Sequence, residues 1–238
     1  MTYLLVALLI AVGAVAQATS GFGFALLTVP LLAVLLGPKT AVVTSNVVGI
    51  GLVSLMVVRN HHGVVRRTVL LVSVAAILAM PVGLLILTEV DARLLTGIIG
   101  VTVLASTVAL AKGLRLPDLD PTDVVAGLVS GLLATSTGTN GPPLVIAFQG
   151  KDLEPVVFRA TLAAAFCAQS VATLIAFTAS GRITIDVVKA ALAGYPGILV
   201  GVLAGEKLAA FIDRRQFRVV VLAMLVASAL ASIARALG

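Results

Sequence analysis

The chain has 238 residues, 60% hydrophobic and 11% charged, with a mean hydropathy of +1.20. A soluble domain is roughly half apolar and a quarter charged, so this composition excludes an ordinary soluble enzyme and predicts an all-α polytopic membrane protein. The formal charge of +6 sits in short basic clusters between apolar runs, which reads as membrane topology and not as a nucleic-acid surface.

Residues 3–19 form the first apolar run, about 25 Å long as a helix against a hydrocarbon core of ~30 Å. It has no basic n-region, so it is expected to stay in the mature protein. The break Ser20-Gly-Phe-Gly23 follows, then a shorter apolar segment over 24–36 and the turn Gly37-Pro38-Lys39. Residues 40–58 make a full span carrying Thr44-Ser45-Asn46. The basic loop Arg59–Arg67 contains no acid. Spans over 68–87, with Pro81 inside, and 92–111 flank the acidic turn Glu89-Val-Asp91. The stretch 112–123 is the one substantial hydrophilic connection, and Pro121 within it suits a helix start.

The second half repeats this order. A short segment covers 124–136, the break Thr137-Gly-Thr-Asn-Gly-Pro-Pro143 follows, and 144–149 is a stub before the turn 150–155. Spans are expected over 156–179, over 183–203 with Pro196 inside, and over 217–236, with a basic loop at 207–218. Gly21 overlays on Gly138, Thr40 on Pro155, Asn46 on Thr161 and Pro81 on Pro196. The predicted organisation is one membrane domain: a first repeat half over 1–113, a cytoplasmic linker over 114–123 and a second half over 124–238. Each half has three full spans plus a Gly-broken helical hairpin, giving eight to ten membrane segments. Placing the loops near 59–67, 112–123, 150–155 and 207–218 in the cytoplasm puts ten of the sixteen basic residues there. By the positive-inside rule the halves are then oppositely oriented, an inverted repeat with both termini outside.

The two breaks place small polar residues and glycines inside apolar runs, where every backbone polar group needs a partner. One reading is close helix packing by small residues. The other is a binding site built from paired half-helices. Helix starts near Phe24 and Pro142 leave N–H groups unpaired and carry partial positive charge, which suits an anion. The candidate substrate-binding residues are Ser20, Gly21, Gly23, Thr44, Ser45, Asn46, Gly138, Thr139, Asn140, Gly141, Arg159 and Thr161. Arg159 offers a planar fork of donors for an oxyanion, yet lies four residues past Pro155, within snorkelling reach of the surface. Lys189 follows Asp186 by three residues, as an interfacial ion pair would. Cys167 has no second cysteine for a disulfide. His61-His62 lacks further ligands for zinc, so no metal and no cofactor is expected. No hydrolytic or nucleotide-binding motif is present, and no acid lies deep in a span.

The Gly break followed by Val29-Pro30-Leu31, the Thr44-Ser45 step, Gly138-Thr-Asn-Gly-Pro-Pro143 and Phe158-Arg159-Ala-Thr161 resemble the sulfite exporter TauE/SafE family of membrane permeases over nearly the whole chain. Where many relatives carry a longer glycine run, this chain has Gly21-Phe22-Gly23. The resemblance implies a non-enzymatic transporter of small anions, sulfite, sulfonates or related sulfur-containing organic acids, in the cell membrane. Its partners would be the anion, the lipid bilayer and a proton or sodium as coupling ion. Oligomeric state, including a homodimer, stays open. The alternatives are a carrier of small carboxylates or zwitterions and a non-transporting assembly or lipid-handling protein.

Overall fold

A computed structural model describes residues 2–59, 63–211 and 214–237, with side chains other than those of Ser20 and residues 209–218. His61, His62 and Asp213 lie outside the described residues. Within them there are ten helices and no strand: α1 (Thr2–Ser20), α2 (Phe24–Leu36), α3 (Pro38–Arg59), α4 (Arg66–Glu89), α5 (Ala92–Ala111), α6 (Asp120–Ser136), α7 (Gly141–Gln149), α8 (Pro155–Ala179), α9 (Ile185–Phe211) and α10 (Arg214–Leu237). Seven are long and apolar enough to cross a membrane; α2, α6 and α7, which flank the breaks, are shorter.

Local chemistry sets the ends. Asp91 caps α5 by accepting the Leu94 N–H (2.9 Å), a bond that satisfies one of the helix's orphan donors. Proline opens α3 and α8 and stands in the first turn of α6 and α7, where its missing N–H costs nothing. Helix α6 begins at Asp120, with Pro121 in its first turn as the sequence suited it. One expectation is corrected. The basic loop expected over 207–218 is mostly helix, since α9 runs to Phe211 and α10 starts at Arg214. Charge alone does not end a helix, and Lys, Arg and Glu are good helix formers.

The outward faces are apolar. On α4, Leu70, Val74, Leu78 and Leu85 recur at helical spacing and are each at least half exposed, a stripe suited to face lipid. The tight contacts face inward, and glycine makes them. Gly197 and Gly201 of α9 sit against the Ala7 and Ala11 carbonyls of α1, and Gly205 against Val15 and Ala18. Gly127 of α6 faces Val72 and Ala75 of α4, and Gly131 faces Ala76. Partner numbers rise together in both pairs, so α1 runs parallel to α9, and α6 to α4. Such close backbone approach is how helices gain dispersion energy inside a membrane.

Exchanging α1–α5 with α6–α10 maps the α1–α9 pair onto α6–α4, α3–α9 onto α8–α4, and α1–α2 onto α6–α7, while α5–α10 and α3–α8 map onto themselves; all of these pairs are in contact. At one end Arg59 pairs with Glu206, Arg67 with Asp120, Arg115 with Asp152, and Lys151 with Asp118 and, at 3.0 Å, Asp123. At the other, Lys39 donates to the Thr88 carbonyl (2.7 Å) and Arg93 to those of Ala236 and Leu237 (2.7 and 2.8 Å). Helix α1 runs towards the Arg59–Glu206 end and α6 away from it. The exposed pairs contribute at most about 1 kcal/mol each, so they mark the ends more than they hold the fold. Lys151 and Asp123, 8% and 2% exposed at the side chain, are different. Burial pulls the Lys151 ammonium down, but hydrogen bonds and charge from Asp118 and Asp123 outweigh it and hold its pKa above the ordinary value.

Candidate functional site

The first break is held by one buried side chain. Gly23 has φ 106° and precedes α2, a backbone that side chains other than hydrogen strain to adopt. Gln17, one turn before the end of α1 and 3% exposed, reaches across. Its Nε2 donates to the Gly21 carbonyl (3.2 Å), and its Oε1 accepts the Phe24 N–H (3.1 Å). One carboxamide thus satisfies a carbonyl before α2 and an amide at its start, where the bilayer offers neither partner.

The second break is held by a network. Gly138 has φ 72°, and the Thr137 and Thr139 hydroxyls hydrogen-bond each other (2.7 Å). Asn140 precedes α7 and donates through Nδ2 to Gln169 Oε1 of α8 (2.9 Å). Ser130 Oγ lies 2.8 Å from both the Asn140 carbonyl and Gln169 Oε1. Helix α7 then opens on Gly141-Pro142-Pro143.

The breaks meet. A Cβ at Gly138 would stand 3.1 Å from Val29 of α2 and 3.5 Å from Asn46 Nδ2 of α3, and one at Gly141 would stand 4.0 Å from the Phe22 Cβ. Between them lies a cavity of about 50 Å³. By the same measure a water occupies roughly 10–15 Å³, so the space suits a solute of a few heavy atoms. Seven of the expected residues line it: Gly23, Ser45, Asn46, Gly138, Thr139, Asn140 and Gly141. Its polar lining is carboxamide, hydroxyl and backbone; no lining residue is charged. Helices α2 and α7 both start at this cavity, and each start carries about half a positive charge.

Ser45 is 2% exposed and its hydroxyl has no hydrogen-bond partner. Nearby, Gln169 is fully buried and its Nε2 is also unpartnered. An orphaned buried donor costs about 1–3 kcal/mol, a penalty that a ligand accepting from it would remove.

Four other expected residues lie off the cavity lining. Gly21, at φ 84°, shapes the turn. Thr44 is buried with its hydroxyl unpartnered. Thr161 accepts the Val65 N–H (3.1 Å), a bond that anchors the start of α4. Arg159 is exposed, and its Cγ would lie 3.7 Å from a Cβ on Gly21, beside the break. Ser20 ends α1, and its side chain lies outside the described residues. Gln17, Gly49, Phe166 and Ser170 also line the cavity, with Gln169 behind it, and none of them was among the expected binding residues. The available signal was a glutamine within an apolar run, since uncompensated polar groups at membrane depth are costly.

No group of three or more metal-ligating side chains occurs among the described residues. Among curated proteins and among solved structures there is no significant match. Residues 5–232 match the family described as sulfite exporter TauE/SafE, nearly the whole of a chain built from apolar helices, and the chain therefore belongs to that family of membrane transporters.

Proposed function

We propose that the chain is a secondary transporter that carries a small oxyanion, sulfite, a sulfonate or a related sulfur-containing organic anion, across the cytoplasmic membrane. The observation that carries this reading is a polar cavity formed where the two helix breaks meet, lined by Ser45, whose buried hydroxyl is unpartnered. Amide and hydroxyl donors at two helix starts suit an anion. A zwitterion's ammonium would find only neutral carbonyl and hydroxyl acceptors here, beside two partially positive helix starts. Gln17 and the Asn140–Gln169–Ser130 network position the two helix starts. Arg159, exposed beside Gly21, attracts anions towards the break without a bidentate contact in the cavity.

The halves act as an inverted repeat, supported by the exchange symmetry of the helix pairs and the opposite courses of α1 and α6. The end bearing Arg59, Arg67 and Lys151 faces the cytoplasm, as the positive-inside rule requires. Flux of labelled sulfite, sulfoacetate and acetate in proteoliposomes tests the proposal. Sulfur oxyanions are expected to move fastest; equal flux with and without protein would refute it.

A further inference from the structure

Resting on that transporter reading, we propose that the anion crosses as a monoanion with no proton exchanged by the protein, so that each turnover moves one negative charge and an inside-negative membrane potential drives export.

The first support is the charge of the site. Two helix starts of at most about half a charge each give no more than roughly one positive charge, and less here, because Pro142 and Pro143 have no N–H and that of Phe24 is taken by Gln17. That compensates one negative charge at most and leaves a dianion with an uncompensated charge away from water, which is strongly disfavoured. The unpartnered Ser45 hydroxyl is a separate sign that a ligand with acceptor oxygens belongs here.

The second support is the placement of every titratable group around the cavity. Helices α2 and α7 carry none, and α1 carries only Tyr3 at its far end. On α3 there are Lys39 and Arg59 at the two ends; on α8, the exposed Arg159 and the half-buried Cys167. Behind these, α6 has Asp120 and Asp123 in its first turn, α4 has Arg66, Arg67 and Glu89 at its ends, α5 has Arg93, and α10, which packs on α2, has Arg214, Arg215, Arg218 and Arg235 towards its ends. Helix α9 has Asp186, Lys189, Glu206 and Lys207 towards its ends, and its Tyr195 hydroxyl is occupied with the Val47 carbonyl (3.1 Å). Each described carboxylate lies in a connection or in the first or last two turns of a helix. A carboxylate or imidazole relay at the cavity is therefore lacking among the described residues, and a proton that crosses does so as part of the substrate.

For a monoanion, a 100 mV inside-negative potential supports a roughly fifty-fold outward concentration ratio. The test reconstitutes the full chain in liposomes under potassium diffusion potentials of either polarity. The probes are methanesulfonate, a strong acid that stays a monoanion, and sulfite, whose second proton titrates near neutrality. Methanesulfonate flux is expected to hold within about twofold across the neutral pH range and to rise roughly tenfold or more when the polarity drives the anion. Sulfite flux is expected to follow its singly charged fraction. One pH midpoint shared by both probes would reveal a titrating protein group and overturn the proposal. So would methanesulfonate flux indifferent to polarity, since a co-moving ion would then balance the charge. No flux of either probe under any gradient refutes the transporter reading itself, and the proposal with it.

Discussion

Gly141 separates a ligand site from a packing contact with one substitution. It lies in the first turn of α7, has no positive φ, and lines the cavity; the nearest atoms to an added Cβ are Phe166 Cζ at 3.5 Å and the Phe22 Cβ at 4.0 Å. A methyl therefore fits without displacing protein. On folding grounds Gly141→Ala is expected to be neutral or to stabilise by about 0.4–1 kcal/mol, because it narrows the unfolded ensemble at a compatible backbone position. The same methyl enters a cavity of about 50 Å³, room for roughly three to five waters. It should weaken anion binding about tenfold, or ~1.4 kcal/mol, and Gly141→Val should weaken it more than a hundredfold. By contrast, Gly131 faces the Ala76 backbone directly, so Gly131→Val should unfold the α4–α6 pair. Calorimetric anion binding beside a thermal melt on each purified variant checks this. Normal binding in Gly141→Val together with a lowered melting temperature would refute the reasoning and return the breaks to a packing role.

Ser45→Ala removes an unpartnered buried hydroxyl, so the ligand-free protein should be no less stable while affinity falls roughly ten- to a hundredfold, the worth of a hydrogen bond to a charged ligand; titration calorimetry reads both. Arg159→Ala should change affinity less than about threefold, because the guanidinium is exposed and off the cavity, but should lower the association rate in a salt-dependent way by stopped-flow. Lys151→Met should destabilise the protein by about 3–5 kcal/mol in a denaturant melt, since it strands the buried Asp123 carboxylate. A cytoplasm-dependent reporter fused after Gly238 should stay silent if the halves are oppositely oriented as proposed; a strong signal would contradict the inverted arrangement.

The ten segments and both breaks were readable locally, because apolar runs, Gly-Phe-Gly and Gly-Pro-Pro carry their own backbone consequences. The grouping of basic loops at one end was readable for the same reason. What holds the breaks was not. Gln17 acts on Gly21 and Phe24, four and seven residues on, but Gln169 meets Asn140 across 29 residues, and Ser130 meets it across 10. Thr161 overlays on Asn46 in sequence, yet one anchors α4 and the other lines the cavity. A hydroxyl's role depends on the face it presents, and a run hydrophobic on all sides carries no amphipathic signal to reveal that face. Arg159 could be placed near the break, but its spacing from Pro155 left open whether its long stem turned inward or stayed exposed beside Gly21, as it does.

The most direct measurement is the position of a bound heavy monoanion, such as bromate, by anomalous diffraction from crystals of the full chain. One peak is expected between the starts of α2 and α7, within hydrogen-bond distance of Ser45 Oγ and the Asn140 side chain, and is expected to be lost in Gly141→Val. A peak at Arg159 on the surface, with the cavity between the breaks empty, would contradict it.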